Sequence, residues 1–208
     1  MEAVISDFGA ILVKLIVPNK DGEKADVVLG FDHLEQYEEN PNFFGSTVGR
    51  SANRIGGAAF QIDGVTYHLT ANENENNLHS DFCHGFHKVL WNADMKDGEN
   101  AVVFSYNSPD GENGFPGNLK ISVTYTLKND NSLQISYDGI SDKKTIINMT
   151  NHSYFNIGCG GQAAGDVLGA QVQIASAKYT PINEKRLPTG EICDVAGTAM
   201  DLDRKSVV

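Results

Sequence analysis

Two histidines and an arginine, far apart along the chain but each set among hydrogen-bonding side chains, are the residues of this sequence best suited to chemistry. The run Asn151-His152-Ser153-Tyr154-Phe155-Asn156 places an imidazole among amides, a hydroxyl and aromatic rings, directly after the strand-like Thr145-Ile146-Ile147-Asn148-Met149-Thr150. A second imidazole, His79, follows Asn76-Asn77-Leu78, and the earlier stretch Gly49-Arg50-Ser51-Ala52-Asn53-Arg54-Ile55 supplies a guanidinium. An unperturbed imidazole titrates at about 6.5, so a histidine can hand over a proton near neutrality. Amides and guanidinium groups donate in fixed directions and orient hydroxyls. The combination suggests acid chemistry on a polyhydroxylated, sugar-sized substrate.

The elements that must carry these residues read as strands. Leu119, Ile121, Val123, Tyr125 and Leu127 alternate with Lys120, Ser122, Thr124 and Thr126, a period of two that puts the apolar side chains on one sheet face. Lys128-Asn129-Asp130-Asn131 supplies turn residues and Leu133, Ile135 and Tyr137 resume the alternation, which predicts a hairpin over 119–137. A second hairpin is predicted where Phe60 and Ile62 precede Asp63-Gly64 and Val65, Tyr67 and Leu69 follow it, because Asp-Gly tolerates the positive φ of a tight turn. Shorter strands are expected over Ile11 to Val17, Val27 to Leu29, Ala101 to Tyr106 and Gln171 to Ile174, and one helical turn over Asp32 to Glu39, stopped by Pro41. Many short strands without intervening helices predict an all-β fold, a large antiparallel β-sandwich.

With 40% hydrophobic and 21% charged residues and no apolar run long enough to span a bilayer, the composition is that of a globular domain, read as a single unit over 1–208. A formal charge of −11 argues against nucleic acid or an anionic membrane as partner, since both attract clusters of Lys and Arg. Cys83, Cys159 and Cys193 are odd in number and lack Cys-x-x-Cys spacing, which fits reduced thiols. With no basic and apolar leader read at Met1-Glu2-Ala3-Val4-Ile5, the expected setting is cytoplasmic.

Ordered motifs along nearly the whole length resemble the aldose 1-epimerase, or galactose mutarotase, family. They include Gly30-Phe31-Asp32 with Tyr37, Phe44-Gly45 through Asn53-Arg54-Ile55, Asn77-Leu78-His79, and Gly85-Phe86 with Trp91. Ser108-Pro109-Asp110-Gly111-Glu112, Gly114-Phe115-Pro116-Gly117, Asn151 through Asn156 and Pro188-Thr189-Gly190-Glu191 complete the series. The resemblance implies a galactose mutarotase-like supersandwich that binds a small-molecule aldohexose and interconverts its anomers without a cofactor or a metal. It implies that His152 is the general acid on the ring oxygen, with His79 beside it in catalysis. Asn53, Arg54, His79, His152 and Tyr154 would be the sugar contacts.

The sequence departs from the family pattern in two places. Ser80-Asp81 stand where two glycines commonly follow the first histidine, so the loop around His79 is expected to sit differently. Gly197 through Leu202 resembles a family segment well short of the end, and Phe8-Gly9-Ala10 one usually reached later. These imply an incomplete sandwich, without the family's late aspartate and glutamate base, whose exposed sheet edges would favour self-association.

Taken singly, each residue has a plainer reading. His152 and His79 alone read as hydrogen-bonded structural histidines, Arg54 as a surface ion-pair residue, and Tyr154 and Asn53 as packing residues. His79, Asp81, Cys83, His84 and His87 fall within nine positions, but their spacing matches no standard zinc pattern, and His84 and His87 read as solvated loop residues. The functional readings are an epimerase, a noncatalytic sugar-binding module and an inactive fragment.

Overall fold

The computed structural model describes residues 1–157, 167–168 and 170–202, together with the backbone of 206–207. Two compact units divide the chain, Met1–Phe155 and Asn156–Val208. Cys159 lies outside the described residues, and Cys83 and Cys193 are free thiols. Among the described residues no helix is long and apolar enough to cross a membrane.

The first unit is built from thirteen strands. A three-stranded antiparallel sheet joins β1 (Glu2–Ser6), β2 (Ile11–Pro18) and β3 (Lys24–Asp26) in that order. Three short ladders follow in sequence, from β4 (Thr47–Val48), β5 (Arg54–Ile55), β6 (Ala59–Ile62), β7 (Val65–His68) and β8 (Asn77–Leu78). A four-stranded sheet then runs through β9 (Asn92–Lys96), β10 (Ala101–Ser108), β11 (Leu119–Leu127) and β12 (Leu133–Ser141). The last strand of the unit, β13 (Thr150–Asn151), pairs with β4; β5 pairs with β8, and β6 with β7.

Alternation of apolar residues decides which faces meet. Leu119, Ile121, Val123 and Tyr125 of β11 are buried with Phe104 of β10, and they pack against Leu12 and Leu15 of β2, Val28, Phe86 and Trp91. Full burial of each such side chain contributes roughly 1.5–3 kcal/mol, so the contact of the two sheets is the main source of stability. The all-β sandwich expected from the sequence is thus the architecture of this unit. At the edge of this core, Met1, Ala3, Ile5, Met95, Leu127 and Leu133 line an apolar groove of about 780 Å³ with Phe104 and Tyr125.

The two predicted hairpins are present as β11–β12 and β6–β7, the latter turning at Asp63 (φ 50°) and Gly64 (φ 81°) as a two-residue turn requires. Three expectations shift. The strand placed over Val27 to Leu29 lies earlier, at β3, because the Asp26 side chain accepts from the backbone N–H of Leu15 (3.0 Å) and of Val28 (3.3 Å) and closes the ladder. The turn over Asp32 to Glu39 contracts to a 3-10 helix, Leu34–Tyr37, where the backbone N–H of His33 donates to Gln36 Oε1 at 3.1 Å. In the second unit, the strand expected over Gln171 to Ile174 is only Gln171–Val172, paired with Ser206–Val207, beside a ladder of Lys178–Tyr179 with Cys193–Asp194.

A buried arginine ties the end of β10 to the turn before β11. Arg50 is 2% exposed, its Nε donates to Ser108 Oγ at 2.9 Å, and its Nη atoms donate to the carbonyls of Pro109 (3.0 Å), Pro116 (2.9 Å) and Gly117 (2.9 Å). Burial holds its pKa below the ordinary guanidinium value, against the pull of Glu112 and Asp110. The same residue fixes the backbone next to the site, because its carbonyl accepts from the N–H of Asn148 at 2.9 Å.

Candidate functional site

The segment that carries His152 is laid in place by main-chain pairing. Asn151 pairs with Thr47, and the backbone N–H of His152 donates to the Ser46 carbonyl at 2.8 Å. The Asn151 side chain donates to the Gly45 carbonyl at 2.9 Å and to the Tyr125 hydroxyl at 3.2 Å, and that hydroxyl donates to the Ala10 carbonyl at 2.8 Å. A core tyrosine of β11 is thereby connected to the segment holding the imidazole. Gly45 (φ 65°) admits only glycine, because a Cβ there would lie 2.1 Å from the Leu12 carbonyl oxygen.

His79 follows directly after β8, which is held by its pairing with β5. Three positions of the site have left-handed backbone: Asn53 at φ 60°, and the adjacent His79 and Ser80 at φ 56° and 67°. Asn53 and His79 exchange two bonds, His79 N–H to the Asn53 carbonyl and Asn53 N–H to His79 Nδ1, both 3.0 Å. Because Nδ1 accepts, the ring proton of neutral His79 is on Nε2, which makes that atom a donor. Burial, with repulsion from His152 and Arg54, lowers the His79 pKa to about 4, so the neutral form is the one present near pH 7.

Ser80 and Asp81 do not prevent this loop from forming. Ser80 takes the left-handed conformation that a glycine would adopt freely, and its hydroxyl compensates by accepting from the Ser51 N–H at 2.9 Å and donating to the Ser51 carbonyl at 3.1 Å. Asp81 Oδ1 accepts from the N–H groups of Cys83 (2.8 Å) and His84 (2.9 Å) and turns the chain back toward the core.

The two imidazoles meet. The rings of His79 and His152 are perpendicular with centroids 5.3 Å apart, and Phe43 packs against both, at 4.9 and 5.6 Å. They line an open cleft of about 510 Å³ with Ala52, Asn53, Asn148, Met149, Thr150, Asn151 and Ser153. That is a volume suited to a small polar molecule. Tyr154 sets its ring 5.2 Å from that of His152 at a tilt of 44° and is 42% exposed at the margin. Arg54 is not among the lining residues; its Nη1 donates to Asn53 Oδ1 at 3.3 Å, and its Nε and Nη2 pair with Glu73 at 2.5 and 2.7 Å.

Of the five residues singled out from sequence, Asn53, His79 and His152 share the cleft, with Tyr154 and Arg54 adjoining it. His87 is a correction: expected to be solvated, it is 2% exposed, with Nε2 facing the Phe82 carbonyl at 3.2 Å and its ring 4.6 Å from Phe43. Burial lowers its pKa to about 4. Phe43, Glu73 and Ser80 have parts in the site that the sequence reading did not assign, and no local pattern distinguishes them from ordinary loop residues. Among the described residues no group of three or more His, Cys, Asp or Glu is arranged to hold a metal ion.

Known proteins share this chain's pattern throughout. It is 45% identical over 203 residues to a galactose mutarotase of Rattus norvegicus and 44% identical to one of Homo sapiens, covering 98% of this chain and 57% of each of those proteins. The chain therefore spans less than two thirds of the curated relatives it matches. The crystal structure of a GalM/aldose epimerase homologue from C. elegans superposes with a TM-score of 0.90 at 32% identity, covering 99% of this chain and 61% of that one. The sequence profile of aldose 1-epimerase matches residues 1–208, and the chain belongs to the aldose 1-epimerase family.

Proposed function

We propose that this chain carries the proton-donating and sugar-holding part of an aldose 1-epimerase site acting on an aldohexose. His152 gives a proton to the ring oxygen of a pyranose while the anomeric hydroxyl loses its own to a base. The bond between C1 and the ring oxygen breaks, the aldehyde rotates, and closure on the other face returns both protons and yields the opposite anomer. Asn53, Arg54 and Tyr154 hold hydroxyls, and neutral His79 offers Nε2–H to oxygen on which charge develops. Among the described residues none that lines the cleft is a carboxylate, so this reading assigns the base to none of them.

The observation that carries the reading is the perpendicular approach of His79 and His152, 5.3 Å between ring centres, at one open polar cleft. The mutarotase relatives support the same chemistry by their names. A cytoplasmic setting belongs to the reading as well, supported by the free thiols of Cys83 and Cys193. Polarimetry of freshly dissolved α-D-galactose and α-D-glucose tests it, with the optical rotation expected to relax faster than in buffer. Galactose binding without acceleration would leave a noncatalytic sugar site; no binding of either sugar would end the reading.

A further inference from the structure

Arg54 does not face the cleft as a free cation. Its Nε donates to Glu73 Oε2 at 2.5 Å and its Nη2 to Oε1 at 2.7 Å, a two-point pairing that leaves Nη1 turned to Asn53. The two side chains are 13% and 26% exposed, withdrawn from bulk water far enough for each to fix the other. Glu73 is presented by a loop that is itself held. Its backbone exchanges hydrogen bonds of 3.1 and 3.0 Å with that of Asn76, and the Asn72 side chain accepts from the Leu78 N–H at 2.7 Å and donates to the Leu78 carbonyl at 2.8 Å. Leu78 in turn is the ladder partner of Arg54. The loop that delivers His79 thus also delivers the counter-ion of Arg54.

Both Glu73 oxygens are engaged by the guanidinium, which suits a counter-ion and not a proton acceptor. We propose that Glu73 is a specificity-determining residue: by neutralising Arg54 and fixing its orientation, it fits the cleft to uncharged aldoses and excludes anionic ones. The proposal rests on the sugar-site reading above. The surrounding charge agrees with it. Among the described residues no Lys, Arg, Asp or Glu lines the cleft, and the whole chain carries a formal charge of −11, so an anionic sugar meets repulsion and finds no uncompensated cation among them. Removal of the carboxylate would free a guanidinium, a group that pairs with carboxylates in the same two-point geometry.

Titration of the full chain with D-galactose and D-galacturonate, followed by ligand-observed NMR, tests this in the native protein and in Glu73→Gln, Glu73→Asp and the double variant Arg54→Gln/Glu73→Gln. The native protein is expected to prefer galactose by about tenfold or more, the scale of one partly screened charge pair. Glu73→Gln should gain galacturonate binding by about tenfold, and that gain should fall as salt rises, a response that loss of packing would not produce. Glu73→Asp should keep the native preference, and the double variant should lose the gain. Equal binding of both sugars by the native protein overturns the proposal while leaving the sugar site standing, as does an unchanged preference in folded Glu73→Gln. Should Glu73→Gln fail to fold, Glu73→Met takes its place as an uncharged variant that keeps Arg54: a gain in galacturonate binding supports the proposal, and an unchanged preference overturns it. Failure of the native protein to bind either sugar overturns the sugar-site reading and this one with it.

Discussion

Asn53 and His79 hold each other by a reciprocal pair of hydrogen bonds, backbone to backbone and backbone to imidazole, each 3.0 Å long. The pair sets the ring orientation and the tautomer of His79 without using any other side chain. Nδ1 is occupied as an acceptor, so the group left for a ligand is Nε2–H.

Nitrogen-15 NMR should therefore find His79 as the neutral Nε2–H tautomer at pH 7, and still neutral at pH 5, since its pKa lies at about 4. Substitution by phenylalanine keeps a ring but removes the donor. On the proposed mechanism it should cost roughly 10²–10³-fold in kcat, as measured by polarimetry.

His152→Ala should leave the fold intact and abolish most of the activity. The bonds that place this segment come from the backbone of His152 and the side chain of Asn151, not from the imidazole. A loss of roughly 10²–10⁴-fold is the expected share of a general acid, and an unchanged thermal midpoint is the accompanying control. Undiminished turnover would remove His152 from that role.

Acid should destabilise the first unit through His87. Its pKa is about 4 when folded against 6.5 as the ordinary value, so between those limits the unfolded chain binds a proton that the folded chain refuses. Stability then rises with pH across this window and is lost as pH falls from about 6.5 toward about 4, by up to roughly 3 kcal/mol for this group. Urea midpoints of native protein and His87→Gln at pH 4.5 and pH 7 check it; the variant should show the smaller drop.

Ser80→Ala removes both hydrogen bonds to the Ser51 backbone and keeps the strained left-handed conformation, so it should cost about 1–3 kcal/mol in chemical denaturation. Ser80→Gly loses the same bonds but relieves the strain, and it should be less damaging than alanine by about 1 kcal/mol.

Arg50→Met should be the most destabilising of these changes, by about 3–5 kcal/mol in urea unfolding, because several buried carbonyls lose their donor at once. A loss below about 1 kcal/mol would show that water replaces the guanidinium at little cost.

The strands were legible because they rest on neighbours. Apolar residues two apart share a face whatever lies elsewhere, which is why Leu119 to Tyr137 reads as a hairpin, and Asp63-Gly64 states its own turn. His79 and His152 were singled out by residue type and by likeness to a family, not by any local rule that could bring them together. Their meeting depends on bonds between remote segments, such as Asn151 to the Gly45 carbonyl across 106 positions and Asn53 to His79 across 26. No periodicity encodes such partners. Only the packed structure decided that His87 is buried, that Ser80 can stand in a left-handed loop, and that the charge of Arg54 is answered by Glu73. A side chain's solvation and electrostatic partners are set by whatever the rest of the chain places around it.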